Sequence, residues 1–274
     1  MNKKQFWNIL EHLHGYETKR TPPFLLPGNI PGWTTLSYYT KLSMFIFAKS
    51  RFAQKKGFDD NVFAESAVGV INIIESIGGS FHISGLEGIR KVNGPFVYIA
   101  NHMSMIDTFI LPSITLAFSK IAFVLKEDLL GMPVFGTILQ AINHITVSRQ
   151  NPRKDLKKVM TEGSYLLSNK RCSIIIFPQT TRSMDFDVSS FNSLGIKLAK
   201  RANVPVIPVA LKTDFLSNGR IIKEIGTINI KKKLYIKFGE PIIVEGNGRK
   251  AHQQVIDFIF QNLQKWGVMV KGLN

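Results

Sequence analysis

The expected fold is decided by residues 95–107, which read PFVYIANHMSMID. The first six residues are apolar, and so short a run without charge is typical of a strand that is buried on both faces. The chain then turns polar, with His102 shortly after the strand and Asp107 further on. In α/β proteins ligands bind at the carboxyl ends of parallel strands, so this polar stretch lies where a functional site is expected.

Further strand patterns occur at intervals after this stretch. Helical patterns lie between them, notably at 154–168 and 191–202, and a last amphipathic helix is expected at 253–266. The alternation predicts an α/β domain over residues 79–274, with a mixed, largely parallel central sheet flanked by helices. The other strand candidates are Ile121–Leu125, His144–Val147, Ser173–Phe177, Val204–Leu211 and Leu234–Phe238.

Residues 1–78 have a different pattern and are predicted to form a separate N-terminal helical segment. A short helix is expected at 3–14, and a loop rich in proline and glycine follows at 21–33. Two longer helices, at 34–55 and 61–77, carry apolar residues three and four positions apart and predict a helical hairpin.

Two interpretations of this hairpin stay open. In the first, it only packs on its own catalytic domain. In the second, it is an interfacial anchor whose aromatic and aliphatic residues enter the acyl boundary of a membrane while Lys and Arg meet anionic head groups.

No run of about 18 uninterrupted apolar residues occurs, so we expect no spanning helix. The start of the chain is polar and predicts no secretory signal.

Composition agrees with a folded domain. Of the 274 residues, 45% are hydrophobic and 11% are aromatic, fractions that exclude a disordered protein. The single cysteine, Cys172, excludes a disulfide framework or a cysteine metal site and indicates a buried thiol in a reducing compartment. We expect neither a metal ion nor another cofactor.

The charge balance indicates an anionic partner; the alternative is a basic surface that is only solvated. The chain has 35 Lys and Arg against 19 Asp and Glu, a formal net charge of +16. This excess attracts nucleic acid, an acidic leaflet, or a phosphorylated substrate or carrier, and does not choose among them. The basic residues are dispersed and no known nucleic-acid-binding motif is present, which speaks against nucleic acid.

His102 and Asp107 have a catalytic and a structural interpretation. A neutral imidazole near pH 7 can take a proton from a hydroxyl, and a carboxylate can hold the ring in one tautomer and stabilise its charged form. Alternatively, Ser104 and Asp107 form a capping box that opens the next helix. The two interpretations are compatible, since a cap places Asp107 in the first helical turn beside His102.

A second polar block, residues 177–183, follows the strand pattern at 173–177 and reads FPQTTRS. Arg182 offers a planar fork for a phosphate, and Thr180, Thr181 and Ser183 can donate hydrogen bonds. The alternative is a polar turn with an exposed arginine.

Taken in order, these blocks resemble the glycerophosphate and lysophospholipid acyltransferase family, typified by bacterial 1-acylglycerol-3-phosphate acyltransferases. Asn101, His102 and Asp107 match the family's N-H-x-x-x-x-D block, and ITVSR, ending at Arg149, looks like its second block. Residues 177–183 match its F-P-E-G-T-R-S block at all but two positions, and 204–209 match its V-P-[VI]-[IV]-P-[VA] strand. The resemblance covers about residues 81–243, including a lysine-bearing segment at Lys126.

The resemblance implies an enzyme that moves a fatty acyl chain from acyl-CoA or acyl-carrier protein to the hydroxyl of lysophosphatidic acid. In it, His102 is the general base, Asp107 orients it, and no covalent acyl-enzyme forms. The cationic residues Lys126, Arg149 and Arg182 are implied to bind the acceptor phosphate. The full set of positions implied to bind substrate is Asn101, Lys126, Arg149, Gln179, Thr180, Thr181, Arg182 and Ser183. Such an enzyme works on an anionic membrane surface, at its cytoplasmic face, as a peripheral or monotopic protein.

Two positions depart from the family pattern. Gln179 and Thr180 stand where the family usually has glutamate and glycine. A glutamine still forms hydrogen bonds but supplies no negative charge, and a β-branched residue lacks the backbone freedom of glycine. This leaves two alternatives open beside lysophosphatidic acid acylation: an acyltransferase for another lysophospholipid or lipid alcohol, and a non-catalytic lipid-binding relative.

Overall fold

Strands and helices alternate along most of the chain, as a computed structural model describes it for residues 1–19, 32–219 and 225–272. The helices are α1 Lys3–Leu13, α2 Trp33–Lys56, α3 Asp60–Ser76, α4 Glu87–Arg90, α5 Ile106–Thr115, α6 Phe135–Ala141, α7 Pro152–Lys170, α8 Leu194–Ala202 and α9 Arg249–Lys265. The strands are β1 Tyr16–Glu17, β2 Phe81–Ser84, β3 Val97–Ala100, β4 Lys120–Lys126, β5 His144–Val147, β6 Cys172–Ile176, β7 Phe186–Asp187, β8 Val206–Lys212, β9 Leu234–Phe238 and β10 Val270–Lys271.

Within those residues the main sheet has eight strands in the order β1-β2-β9-β8-β3-β6-β4-β5. The pairs β3–β8, β3–β6, β4–β6 and β4–β5 are parallel, and so is β2–β9. The pairs β1–β2 and β8–β9 are antiparallel. The predicted mixed, largely parallel sheet is therefore confirmed.

Helices cover both faces of this sheet. Tyr98 and Ala100 of β3 belong to an apolar cluster that includes α1, α3 and α5, whereas Val97 and Ile99 belong to a second cluster with α7, α8 and α9. Since successive residues of a strand point to opposite faces, the two clusters lie on opposite sides of the sheet. This two-sided burial explains why every residue of β3 and β6 is buried and why both strands are mostly apolar.

Most predicted elements are present, with shifted ends. The helix expected from 191 begins at Leu194, and the strand expected to reach Phe177 ends at Ile176. Strands β1, β2, β7 and β10 were not predicted. β1, β7 and β10 have only two residues each, and β2 has only two apolar residues, Phe81 and Ile83, and no apolar run. Of the proline-rich loop predicted at 21–33, residues 21–31 lie outside the described residues, and Trp33 is already the first residue of α2.

The predicted helical hairpin is formed by α2 and α3. Asp59 caps α3 by accepting a hydrogen bond from the backbone N–H of Val62 (2.8 Å), and α3 packs on α5. β1 adds to the edge of the main sheet, so residues 1–78 contribute to the same layers as the rest. A domain boundary at residue 78 stays a prediction.

Part of the outer surface of α2 is apolar and exposed. Leu36, Met44 and Phe47 are 58%, 69% and 52% exposed. Among the helices of the described residues, none combines the length and the hydropathy that crossing a membrane requires.

Candidate active site

A cavity of about 700 Å³ opens at the carboxyl ends of the central parallel strands. His102 follows β3, Lys126 ends β4, Arg149 follows β5 and Thr180 follows β6, and all four line the cavity. Because parallel strands end at the same edge of a sheet, four segments that are distant in sequence deliver these polar side chains to one place.

His102 and Asp107 form a close pair at this edge. The Nδ1 atom of His102 lies 2.8 Å from Oδ2 of Asp107, whose side chain is fully buried, while the His102 side chain is 15% exposed. An ionised carboxylate only accepts hydrogen bonds, so Nδ1 carries the proton and donates it. This leaves Nε2 as the acceptor nitrogen of a ring that lines the cavity.

Further donors fix the carboxylate of Asp107. Its Oδ2 atom accepts hydrogen bonds from the backbone N–H groups of Met103 (2.7 Å) and Ser104 (3.1 Å), and Oδ1 accepts one from the hydroxyl of Thr213. The predicted capping box forms only in part. The carboxylate of Asp107 accepts a hydrogen bond from the backbone N–H of Ser104, as in a capping box. Ser104 Oγ, however, accepts from the N–H of Ile106 (3.3 Å), two residues on, and not from that of Asp107, three residues on.

The loop after β6 holds the backbone of His102. The His102 N–H donates to Oε1 of Gln179 (3.2 Å), and the Ser183 N–H donates to the carbonyl of His102 (2.9 Å). The ring of Phe177 stacks on the imidazole, with ring centroids 4.2 Å apart. The imidazole is therefore fixed in orientation by Asp107 and by one aromatic face.

Two residues that line the cavity have an unusual backbone. Arg149 and Thr180 adopt φ values of 61° and 60°, in the left-handed region. That region is unfavourable for residues with a Cβ and more so for a β-branched one, so Thr180 replaces the family's glycine at a cost in backbone strain. Strain of this kind is common in loops that position functional groups.

The other predicted site residues do not line the cavity. Both amide atoms of Asn101 bond the backbone of Leu211, at 2.8 Å each, and so tie the end of β3 to β8. Gln179 is 5% exposed and faces His102 N. Thr181, Arg182 and Ser183 belong to the same loop and lie outside the cavity wall. Lys126, which does line the cavity, is half-exposed and paired with Asp128.

Most of the cavity wall is apolar, and it comes from helices on both sides of the sheet edge. The N-terminal hairpin supplies one side and α5, α6 and α7 supply others. Lys49 and Lys197 add two further cations to the lining. The apolar residues of this wall include Phe45, Phe63, Ala67, Phe109, Phe135 and Leu156.

Two hydroxyl residues and one aromatic ring lie beside the His102–Asp107 pair without being predicted from the sequence. Thr213 follows β8, more than one hundred residues after Asp107, and no motif marks it. Ser104 was read only as a cap. Phe177 is predicted as the end of a strand and as the first residue of the block 177–183, but neither pattern indicates that its ring stacks on His102.

Cys172 lies at the other end of β6, away from the cavity lining. Its side chain is 1% exposed, and this burial, with a smaller contribution from the charge of Asp60, raises the pKa of the thiol to about 12. Such a thiol is protonated at neutral pH and is a poor nucleophile.

A comparison with known families and proteins agrees with this geometry. Residues 80–212 match the sequence model of the Acyltransferase family. The chain is 27% identical over 219 residues to a 1-acyl-sn-glycerol-3-phosphate acyltransferase of Pseudomonas aeruginosa, covering 80% of this chain and 78% of that protein. It is 30% identical over 132 residues to a chloroplastic 1-acyl-sn-glycerol-3-phosphate acyltransferase of Brassica napus, of which it spans only 36%.

The fold also matches a solved structure. The crystal structure of the 1-acyl-sn-glycerophosphate acyltransferase from Thermotoga maritima superposes with a TM-score of 0.67 and 21% identity, over 87% of this chain and 97% of that one. This likeness supports the mixed α/β architecture, including the layers on both faces of the sheet.

Proposed function

Since this chain belongs, through residues 80–212, to the Acyltransferase family, we propose that it transfers a fatty acyl chain from an acyl thioester to the free hydroxyl of lysophosphatidic acid, giving phosphatidic acid. The observation that carries this proposal is a buried carboxylate paired with a histidine that faces a large apolar cavity. A carboxylate bonded to an imidazole suits proton transfer, and an apolar cavity of this volume suits a lipid chain.

The proposed chemistry begins at Nε2 of His102. As the acceptor hydroxyl attacks the thioester carbonyl, Nε2 takes its proton, and Asp107 stabilises the imidazolium that results. The tetrahedral intermediate then expels the thiolate, which takes the proton back from Nε2. Acyl transfer is direct, and the protonated, remote Cys172 takes no part in it.

Cations near the base suit the acceptor phosphate. Arg149 and Lys126 line the same cavity as His102, and a guanidinium binds phosphate oxygens through two parallel hydrogen bonds. Arg182, with Thr181 and Ser183, lies on the loop that also holds His102, and we assign it to the same phosphate or to the rim around it.

For the donor, we propose acyl-CoA or an acyl-carrier protein. Both are anionic, and the net charge of +16 together with Lys49 and Lys197 at the cavity favours an anionic donor.

We further propose that the protein works at an anionic membrane surface, through α2. Its exposed apolar residues Met44 and Phe47 lie near basic residues such as Lys49 and Arg51, an arrangement that suits the interface between head groups and acyl chains. The test is sedimentation with anionic and neutral liposomes across a salt series. Replacing Met44 and Phe47 by Ser removes apolar area and is expected to weaken vesicle binding about tenfold or more.

The matched control replaces Ile243 and Met269 by Ser, since these are equally exposed apolar residues on another part of the chain. It is expected to bind vesicles as the unmodified protein does. Equal binding by all three proteins, or no binding to anionic vesicles at low salt, contradicts the membrane proposal.

The substitutions at Gln179 and Thr180 favour a second candidate, an acyltransferase for another lysophospholipid or a lipid alcohol. A panel of lysolipid acceptors with labelled acyl-CoA and acyl-carrier protein separates the two. We expect the highest kcat/KM with lysophosphatidic acid, and a loss of about a thousandfold or more in His102→Ala, which keeps the cavity but lacks the base.

Three results decide the outcome of this panel. A higher rate with another acceptor selects the second candidate. No transfer to any acceptor identifies a non-catalytic lipid-binding relative. Equal transfer by His102→Ala removes the proposed base.

A further inference from the structure

Thr213 contacts the catalytic pair from a separate part of the chain. It is fully buried just after β8, and its hydroxyl bonds Oδ1 of Asp107, the oxygen that His102 does not use. The hydroxyl of Ser104, also fully buried, lies 2.9 Å from Thr213 Oγ1. Two buried hydroxyls are thus arranged in series behind the carboxylate.

The donor and acceptor roles of the two hydroxyls can be assigned in only one way. A carboxylate accepts, so Thr213 must donate its single hydroxyl proton to Asp107. The oxygen of Thr213 then accepts from the hydroxyl of Ser104, and the oxygen of Ser104 accepts from the backbone N–H of Ile106 (3.3 Å). Each hydroxyl therefore has a fixed donor and acceptor role, and the series ends at a backbone group of α5.

The distribution of donors explains why Thr213 matters. Oδ2 of Asp107 accepts hydrogen bonds from the ring of His102 and from the backbone N–H groups of Met103 and Ser104, all within the same six residues of chain. Those bonds share one oxygen and leave rotation about the Cβ–Cγ bond poorly defined. Thr213 holds the other oxygen and so fixes the plane of the carboxylate, which sets the angle at which it meets the imidazole.

The position of Thr213 is in turn fixed by strand pairing. Two residues earlier, Leu211 exchanges both of its backbone hydrogen bonds with the amide of Asn101, directly before His102. β8 also pairs in parallel with β3, which ends at the site. The distance from Thr213 to Asp107 is therefore set by the sheet and does not depend on a free loop.

We propose that Thr213 and Ser104 are positioning residues for acyl transfer, forming a hydroxyl relay that orients Asp107 and, through it, the base His102. This inference rests on the proposed function. Neither hydroxyl residue lines the cavity, so neither touches substrate.

The test uses a matched pair of substitutions. Thr213→Val keeps the shape and removes the hydroxyl, while Thr213→Ser keeps the hydroxyl. In Thr213→Val, kcat is expected to fall roughly tenfold with both KM values unchanged, because a hydrogen bond to a charged group is lost outside the cavity. Thr213→Ser is expected to retain most of kcat.

The pH profile adds a readout that a merely structural role does not change. Without the Thr213 donor, more of the carboxylate charge remains to stabilise the imidazolium, so the acid limb of kcat/KM moves to higher pH in Thr213→Val and stays in place in Thr213→Ser. If Thr213 only supports the core, fewer molecules fold and the limb does not move. An unmoved limb in Thr213→Val, or equal impairment of both variants, overturns the proposal.

Two further measurements keep the outcome clear. Should Thr213→Val not fold, Ser104→Ala breaks the same relay one step further from the carboxylate, and we expect a smaller shift of the limb in the same direction. The His102 ring can also be titrated by NMR, its signals identified by their loss in His102→Ala. A raised His102 pKa in Thr213→Val supports the relay even if no acyl transfer is found, whereas an unchanged pKa rejects it.

Discussion

The two ends of β6 carry polar residues in opposite situations. At the amino end, Ser173 Oγ accepts a hydrogen bond from Phe96 N (2.8 Å) and lies 2.6 Å from Ser119 Oγ, and the neighbouring Cys172 is buried. At the carboxyl end, Phe177 stacks on His102, and the loop that follows places Thr180 at the cavity. The polar groups at the amino end of β6, called the closed end below, do not line the cavity, whereas those at its carboxyl end, the open end, do.

This difference shows at which end of the strand a proton acceptor lies beside open space. At the amino end the hydroxyls of Ser119 and Ser173 bond each other, and Ser173 and Cys172 are buried. At the carboxyl end Nδ1 of His102 is bonded to Asp107, which leaves Nε2 as the acceptor nitrogen of a ring that lines the cavity. Fixed geometry with one uncommitted acceptor is what general base catalysis requires.

The largest effect is expected when the charge at the open end is removed. Asparagine is isosteric with Asp107, and its carbonyl can keep the three bonds that Oδ2 accepts while its amide faces Thr213. Asp107→Asn therefore loses the charge that stabilises the imidazolium with little loss of structure. We expect kcat to fall about a hundredfold to ten-thousandfold, measured as initial acyl transfer rates.

The control for this substitution is its folded state. The circular dichroism spectrum and the melting temperature should remain close to those of the unmodified protein. A fall in kcat of less than tenfold would mean that the carboxylate only caps α5, the structural interpretation of Asp107.

The next effect concerns the cation after β5. Arg149→Ala removes a guanidinium from the cavity wall but leaves the backbone bond from Arg149 N to Asp155 (2.7 Å). A charge-assisted hydrogen bond contributes about 1.5–3 kcal/mol, so KM for lysophosphatidic acid should rise about tenfold to a hundredfold with little change in kcat.

An acceptor without phosphate, such as a monoacylglycerol, provides the internal control. The KM of this acceptor should be high already and should not change in Arg149→Ala. Arg149→Lys should recover part of the affinity for lysophosphatidic acid, since it keeps the positive charge but lacks the planar guanidinium. If both acceptors lose equally, Arg149 supports the loop and does not bind phosphate.

A smaller effect is expected at the apolar wall contributed by α3. Ala67→Leu fills space in the cavity and should lower the preferred acyl length, whereas Phe63→Ala opens space and should raise or broaden it. Each buried methylene contributes about 0.8 kcal/mol, so exclusion of two methylenes lowers kcat/KM for the longer chain roughly tenfold. The measurement is competition among acyl donors of different length. Shifts of the same sign in both variants would contradict a role for this wall in holding the acyl chain.

Sequence patterns predict some of these features better than others, for a physical reason. The pairing of His102 with Asp107 lies within one contiguous block, and β3, β6 and β8 show as apolar runs because both their faces are buried. Interactions between distant segments leave no such pattern. The bond from Thr213 to Asp107 spans 106 residues, and it depends on which strands become neighbours.

Asn101 and Gln179 illustrate the same limit. Their residue types and their family positions suggested contact with substrate, but Asn101 is bonded to Leu211 and Gln179 to the backbone of His102. Local sequence specifies which groups are polar. The register of the sheet decides whether a polar group faces the cavity or holds a neighbouring strand.

The smallest effect is expected at the closed end of β6, where Cys172→Ala should leave kcat and both KM values unchanged. Burial raises the pKa of this thiol to about 12, so no thiolate is present at any ordinary assay pH, and the direct transfer proposed for His102 needs none. The variant should differ only in alkaline stability. The folded thiol stays protonated above its ordinary value of 9.0, whereas the unfolded thiol ionises, so rising pH between 9 and about 12 favours unfolding of the unmodified chain. Urea titrations in this pH range should therefore show a shallower loss of stability for Cys172→Ala. A large fall in kcat would instead place chemistry at both ends of the strand and end the contrast between them.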